Sequence, residues 1–436
     1  MTLEGETAKV NEPQQQQRIE KTIFLNLSLF QFLSFVRRGV FYTFMINYLF
    51  DLMQTVTFTA LLGTLNMMAS ALGQNLLWGK ISDRYRLRAK LIIMGESIAA
   101  MTYFFVFLIH RSLLDMNANF IAGLAVIFGL SLLEFFWSMS DVGWAALLTD
   151  VTTNKTRGRI VGSLNFIASL GRMIGIVFAG FLYNDGEGFR QGTIFYIVIA
   201  MLFTSATIMW ITSRSKTSET KTENVAARSA VEKTFTDGNE VIYRWFLISL
   251  IMIVIGVACI SQVFLIFLKE ELKMNDPEIS FILTAWTLGG MLTSLLSGWL
   301  ADRIGRVKVL LMGLSLAILT PFLYGSALTV PAMALVYGLN GVAFWTIQTV
   351  GFAFAGDMIP QEKRGRLFSR YNTVMALSWG PAGLLVGGPL ADVQTKTFGL
   401  SAYTAYVNVF YVSSIIVALG IVLFVFKVAR IKTKTA

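Results

Sequence analysis

Apolar runs of about 20 residues alternate with short polar breaks along the whole chain. A helix rises about 1.5 Å per residue, so roughly 20 such residues cross a bilayer core. The runs start near residues 23, 55, 90, 118, 159 and 190, and again near 241, 277, 307, 330, 367 and 401. This pattern predicts an all-α polytopic membrane protein with twelve transmembrane helices in two groups of six. A membrane β-barrel would show shorter segments of strict alternation instead. Between the sixth and seventh runs, Ser213–Glu240 is polar, mixed in charge and nearly free of large apolar side chains, as linkers are. The expected organisation is a cytoplasmic tail (1–22), a six-helix bundle (23–212), a cytoplasmic linker (213–240), a second bundle (241–427) and a short cytoplasmic tail (428–436).

Composition agrees with the pattern. Of 436 residues 55% are hydrophobic and 14% charged, with a mean hydropathy of +0.63; soluble domains carry about 25% charged residues. The formal charge of +10 does not point to nucleic acid. Lys and Arg collect instead in alternate loops: Lys80, Arg84, Arg86, Arg88 and Lys90; Lys155, Arg157 and Arg159; Arg303, Arg306 and Lys308; Lys363, Arg364, Arg366 and Arg370. The positive-inside rule then puts both termini in the cytoplasm of a cell with the protein in its plasma (inner) membrane. One cysteine, Cys259, and one histidine, His110, provide neither a disulfide framework nor a metal cluster. No metal or other cofactor is expected, and no Gly-x-x-x-x-Gly-Lys loop offers ATP a site. The polar N-terminus lacks a signal-peptide pattern, so the first apolar run is expected to be a retained helix.

The two sixes repeat. "DVTTNKTRGR" (Asp150–Arg159) matches "DMIPQEKRGR" (Asp357–Arg366), and "SGWLADRIGR" (Ser297–Arg306) has a worn copy in "WGKISDRYRLRAK" (Trp78–Lys90). Gly79, Asp83 and Arg84 thereby align with Gly298, Asp302 and Arg303, the second copy adding Gly305 and Arg306. Gly-x-x-x-Asp-Arg-x-Gly-Arg after the second and eighth spans resembles motif A of the major facilitator superfamily. Asp-x-x-x-x-x-x-Arg-Gly-Arg after the fourth and tenth resembles that superfamily's matching loops. The resemblance covers residues 23–427 and implies a twelve-helix secondary transporter of prokaryotic type, with a site between two six-helix halves. The first copy departs at Arg86 and Leu87; Ser131 stands where such transporters often carry an arginine; and the fifth span lacks the antiporters' Gly-Pro pair, since Ile174 follows Met173. Glycine permits a tight turn against a neighbouring helix. Asp83 and Asp302 can face helix N-termini, and the arginines can bridge to Asp150 and Asp357 across the interface. The resemblance makes this a latch closing the cytoplasmic side, with Arg157 and Arg364 included.

Ionisable groups inside spans mark candidate function, because each costs several kcal/mol there. The first half carries Arg37 and Arg38 in span one, Glu134 and Asp141 in span four and Arg172 in span five. Helical rise places Arg37, Glu134 and Arg172 roughly 20–24 Å from the cytoplasmic ends and Asp141 roughly 14 Å. Gln31, Ser34, Arg38 and Tyr42; Glu134, Ser138 and Asp141; and Asn165, Ser169 and Arg172 each form one polar stripe at helical spacing. Three stripes imply a shared polar interior, either a transport pathway or a structural ion-pair network. Since spans one and four line the cavity in the superfamily, the resemblance favours Arg38 over Arg37 as a cavity residue. In the second half Asp141 aligns with Gln348 and Arg172 with Trp379, while Asn340 and Trp345 add polar and aromatic surface. That half is expected to grip solute while the first titrates.

The resulting expectation is a secondary active transporter of a small organic solute, driven by protons, working by alternating access, and monomeric. Asp141 is expected to carry the proton and Glu134 to pair with arginine. A multidrug or lipid exporter of the same fold is the nearest alternative. A membrane-embedded enzyme is disfavoured, because His110 alone leaves few acid–base candidates.

Overall fold

The computed structural model describes residues 4–85, 87–152, 157–214, 237–359 and 364–429, all helix and connecting turns with no strand among them. Twelve rods run back and forth. We label them α1 (Glu4–Tyr42, continued by Met45–Met53), α2 (Val56–Leu72, continued to Tyr85), α3 (Arg88–Asp115), α4 (Asn119–Val151), α5 (Arg157–Leu182) and α6 (Thr193–Arg214). The second six are α7 (Asp237–Ala258, continued by Ser261–Ile266), α8 (Asp276–Ile304), α9 (Arg306–Tyr324), α10 (Val330–Met358), α11 (Arg364–Ala382, continued to Thr397) and α12 (Ala402–Phe424). Ten are long and apolar enough to cross a membrane, and α8 makes eleven when its two segments, bent by 44°, count as one span. The twelfth is α1, whose polar first turns and Arg37–Arg38 pair dilute its apolar run. The helix begins at Glu4, inside what the sequence marks as a tail, and most of the predicted linker lies outside the described residues.

Local chemistry sets where the rods start. Asn275 caps α8 in a reciprocal capping box with Glu278, and Thr55 and Ser401 cap α2 and α12 through their hydroxyls. The turn from α8 to α9 needs Gly305, whose φ of +99° excludes most side chains. Large side chains such as Phe105, Phe181 and Leu385 stand exposed on the outer faces of the bundle, as lipid contact requires.

The basic loops and the outer ends of α1 and α12 share one end of the bundle, here called the basic end; the opposite one is the far end. The halves meet chiefly through α5 against α8 and α2 against α11. Polar contacts between them gather at the far end. Lys269 bridges Asp185 of the first half and Asp276 of the second, and Asp276 also accepts the Asp185 backbone N–H at 3.1 Å. Asp392 accepts the Val56 and Thr57 N–H groups at 3.2 and 2.9 Å, capping α2 from the other half. Lys396 donates to the Gln54 carbonyl and Asn47 to that of Leu265. Gly388 packs so closely on the Thr57 backbone that a side chain there would collide with it.

Candidate functional site

Arg37 and Arg38 adjoin on a helix, so their side chains diverge by about 100°. Arg37 turns into the first half and is fully buried. Arg38 turns toward the interface between halves and stays about one-third exposed. Both guanidinium groups nevertheless lie on the Trp137 indole of α4, at 4.6 and 4.2 Å from the ring centroid. An indole face attracts cations and can hold two charges apart without neutralising either. The indole N–H donates to Glu96 of α3 at 2.7 Å, and the same Glu96 oxygen accepts the Ser140 hydroxyl at 2.8 Å. Glu96 is fully buried and its other oxygen has no hydrogen-bond partner. Two Arg37 nitrogens, Nε and Nη2, are equally unpartnered. Neither Glu96 nor Trp137 is among the residues picked from sequence. Glu96 sits in an apolar span, so the rule that selected Glu134 would have found it.

On the interface side, Arg38 pairs with Asp141 at 3.7 Å, and Glu134 accepts the Tyr42 hydroxyl at 3.0 Å. This reverses the expected pairing: Asp141, two turns of α4 nearer the basic end, meets Arg38, while Glu134 faces Tyr42. Arg38, Tyr42, Glu134, Asp141 and Arg172 line one lobe of a cavity, together with Asn66 of α2. A second, central lobe of about 220 Å³ lies between the halves and holds Arg38, Tyr42, Arg172, Trp286, Asn340 and Trp379 among its walls. A third reaches from Arg172 past Ser169 and Asn165 toward the basic end, with Trp345 and Gly290 opposite. Arg172 borders all three lobes.

The second half supplies aromatic walls. Asn340 is buried, accepts the Trp286 indole N–H at 3.2 Å and donates to Thr320 at 3.0 Å, so its polar atoms hold the wall in place. Trp345 packs on Gly290 and Trp379 on Phe344, each ring also facing a lobe. Gln348 is half-buried and lines none of the three lobes.

The loop motifs behave differently from the expected latch. Arg306 ion-pairs with Asp357, donates to the Ala353 carbonyl at 2.8 Å and lies 3.9 Å from Asp302. All three partners belong to the second half, so the bridge ties the α8–α9 turn to α10 and does not cross the interface. Asp302 is three-quarters exposed and meets no helix N-terminus among the described residues. Arg303 stacks on Trp299, Arg84 lies over Tyr85, Gly298 faces open space and Gly79 packs on the Gln74 carbonyl. The side chains of Asp83, Asp150, Arg157 and Arg364 lie outside the described residues. His110 is buried near the far end and bonded to Tyr48 at 2.6 Å.

Comparison with known proteins follows this geometry. The family model described as Major Facilitator Superfamily matches residues 27–267 and again 246–436. An uncharacterised MFS-type transporter of Mycobacterium tuberculosis is 31% identical over 121 residues, 27% of this chain and 17% of that protein. A galactose-proton symporter of Escherichia coli is 21% identical over 155 residues, 36% of this chain and 32% of its own length. The matched stretches thus span about a third or less of these relatives. Among solved structures, a bacterial homologue of the iron transporter ferroportin in an inward-facing state superposes with a TM-score of 0.67 at 13% identity, covering 94% of this chain and 98% of that one. A nucleoside transporter gives 0.65 at 13%, covering 92% and 99%.

Proposed function

This chain belongs to the major facilitator superfamily, and we propose that within it the protein is a proton-coupled secondary transporter of a small organic solute, working by alternating access in a cell membrane with the basic end in the cytoplasm. The observation that carries the proposal is one arginine facing two carboxylates beside a cavity between the halves. Arg38 pairs with Asp141, while Glu134, on the same lobe, accepts the Tyr42 hydroxyl and forms no ion pair among the described residues. A carboxylate paired with a cation is committed to that pair, whereas one outside the pair is the freer to exchange a proton. Glu134 is therefore the proton site of this state and Asp141 the counterion, the opposite of the expectation from helix depth. When the halves rock, Arg38 need only swing between two groups seven residues apart on one helix face to exchange their roles. The far-end clasp and the lobe running toward the basic end support reading this as an inward-facing arrangement, with the motif loops proposed to engage when that end closes.

Proteoliposomes holding a pH-sensitive dye and challenged with a panel of small organic solutes test the coupling. Wild-type protein is expected to move protons with solute. Glu134→Gln is expected to abolish pH-driven accumulation, about tenfold or more, while downhill exchange survives. Asp141→Asn frees Arg38 and is expected to lower both. If both variants carried protons with solute at the wild-type ratio, the cluster would be structural.

A further inference from the structure

Among the described residues Arg172 is a cavity cation that no carboxylate neutralises. Among the described residues no carboxylate lies within 4.0 Å of it, and no acid borders the central lobe. The charged group that acts on it is Arg38, of the same sign, and the other is the hydroxyl of Tyr337. Arg38 is already answered by Asp141. An unmatched guanidinium on a membrane-spanning helix is costly unless it meets water or an anion, and here it opens onto all three lobes. Across the interface its guanidinium faces the Trp286 ring at 5.7 Å from the centroid. Behind Trp286, Tyr337 stacks on Phe264 at 4.3 Å and an interplanar angle of 14°, and Phe344 packs on Trp286 and Trp379.

We propose that the solute is a small organic monocarboxylate with an aromatic or branched apolar body, its carboxylate held by Arg172 and its body lying in the aromatic box headed by Trp286. This rests on the transporter reading above and names its substrate class. Each half of the chemistry excludes alternatives. A guanidinium presents paired N–H donors that fit a carboxylate bidentately. One unanswered cation calls for one negative charge, so a dianion would leave a charge unmatched. A cation would face Arg172 and Arg38 with no free acid in the central lobe. A bare inorganic anion would leave the rings wet, since aromatic and aliphatic side chains make most of the wall opposite Arg172, with Ser261, Thr287 and Asn340 its polar members. The central lobe, of about 220 Å³, has room for a body of one ring or a short branched chain.

The test uses the purified full-length protein and its thermal unfolding with phenylacetate, isovalerate, phenylacetamide, acetate and phenethylammonium. Phenylacetate and isovalerate are expected to stabilise it. The amide, which keeps shape and loses charge, should bind roughly tenfold or more weakly, the usual worth of a charge-assisted hydrogen bond. Arg172→Gln should weaken phenylacetate by a similar factor and Arg172→Lys restore part of it. Trp286→Leu should bring phenylacetate toward acetate, and so keeps the proposal testable should Arg172→Gln fold poorly. The proposal is overturned if phenylacetamide matches phenylacetate, if Arg172→Gln keeps wild-type affinity, or if neither carboxylate acts on the wild type. Proton-driven conformational change can be measured without solute, so failure here and failure of the transporter reading are separable.

Discussion

Trp137 shows how much one side chain can organise. Its faces hold Arg37 and Arg38, and its N–H ends on Glu96, so α1, α3 and α4 are joined through one indole. Arg37 is sealed inside the first half while its neighbour reaches the cavity. The sealed side of this arrangement is structural, and the open side is where we place transport. Glu96→Leu tests the division. It leaves the Trp137 N–H and the Ser140 hydroxyl without an acceptor, and lost buried hydrogen bonds cost about 1–3 kcal/mol each. The unfolding midpoint in detergent should fall by several degrees, while in vesicles the coupling ratio of the surviving protein stays at the wild-type value. A changed ratio would move Glu96 into the proton pathway.

At the scale of elements, legibility followed from how local each signal is. Hydropathy placed all twelve rods, and helical spacing put Arg38, Glu134, Asp141 and Arg172 around one cavity, because both signals repeat within a single helix. Pairings between helices were less legible. Arg306 and Asp357 are readable as a pair, but spacing along the chain does not say which helix a loop folds back on, and here the bridge lies within one half. The far-end clasp was not seen at all. Asp185 and Asp392 read as ordinary loop charges, and their meeting with Lys269 and the start of α2 exists only once the halves dock. Removing its parts should free the far end. Asp392→Asn removes a charge from a helix N-terminus, worth about 0.3–1 kcal/mol and up to ~2 when partly buried. Combined with Lys269→Met, it should raise the labelling rate of a cysteine introduced at the buried Ser280, in a Cys259→Ala background, several-fold. An unchanged rate would reduce the clasp to a topological contact.

At the scale of the molecule, the two halves share a fold but divide the chemistry. The first holds the charged groups on its cavity face, and the second, where Asp141 and Arg172 align with Gln348 and Trp379, provides rings and amides. A protonation event in one half can then change the fit of both, provided it alters which of two arrangements is lower in free energy. A shift of about 1.4 kcal/mol between them changes their ratio tenfold. The most direct measurement needs no solute: spin-label distances across each end of the bundle, between Lys80 and Lys308 at the basic end and between Gln191 and Lys396 at the far end, from pH 8 down to pH 5 in lipid nanodiscs. We expect the basic-end distance to lengthen and the far-end distance to shorten together as pH falls, and Glu134→Gln to hold the low-pH distances at every pH. Distances that ignore pH, or a Glu134→Gln protein that still follows it as the wild type does, would contradict proton-coupled alternating access through this cluster.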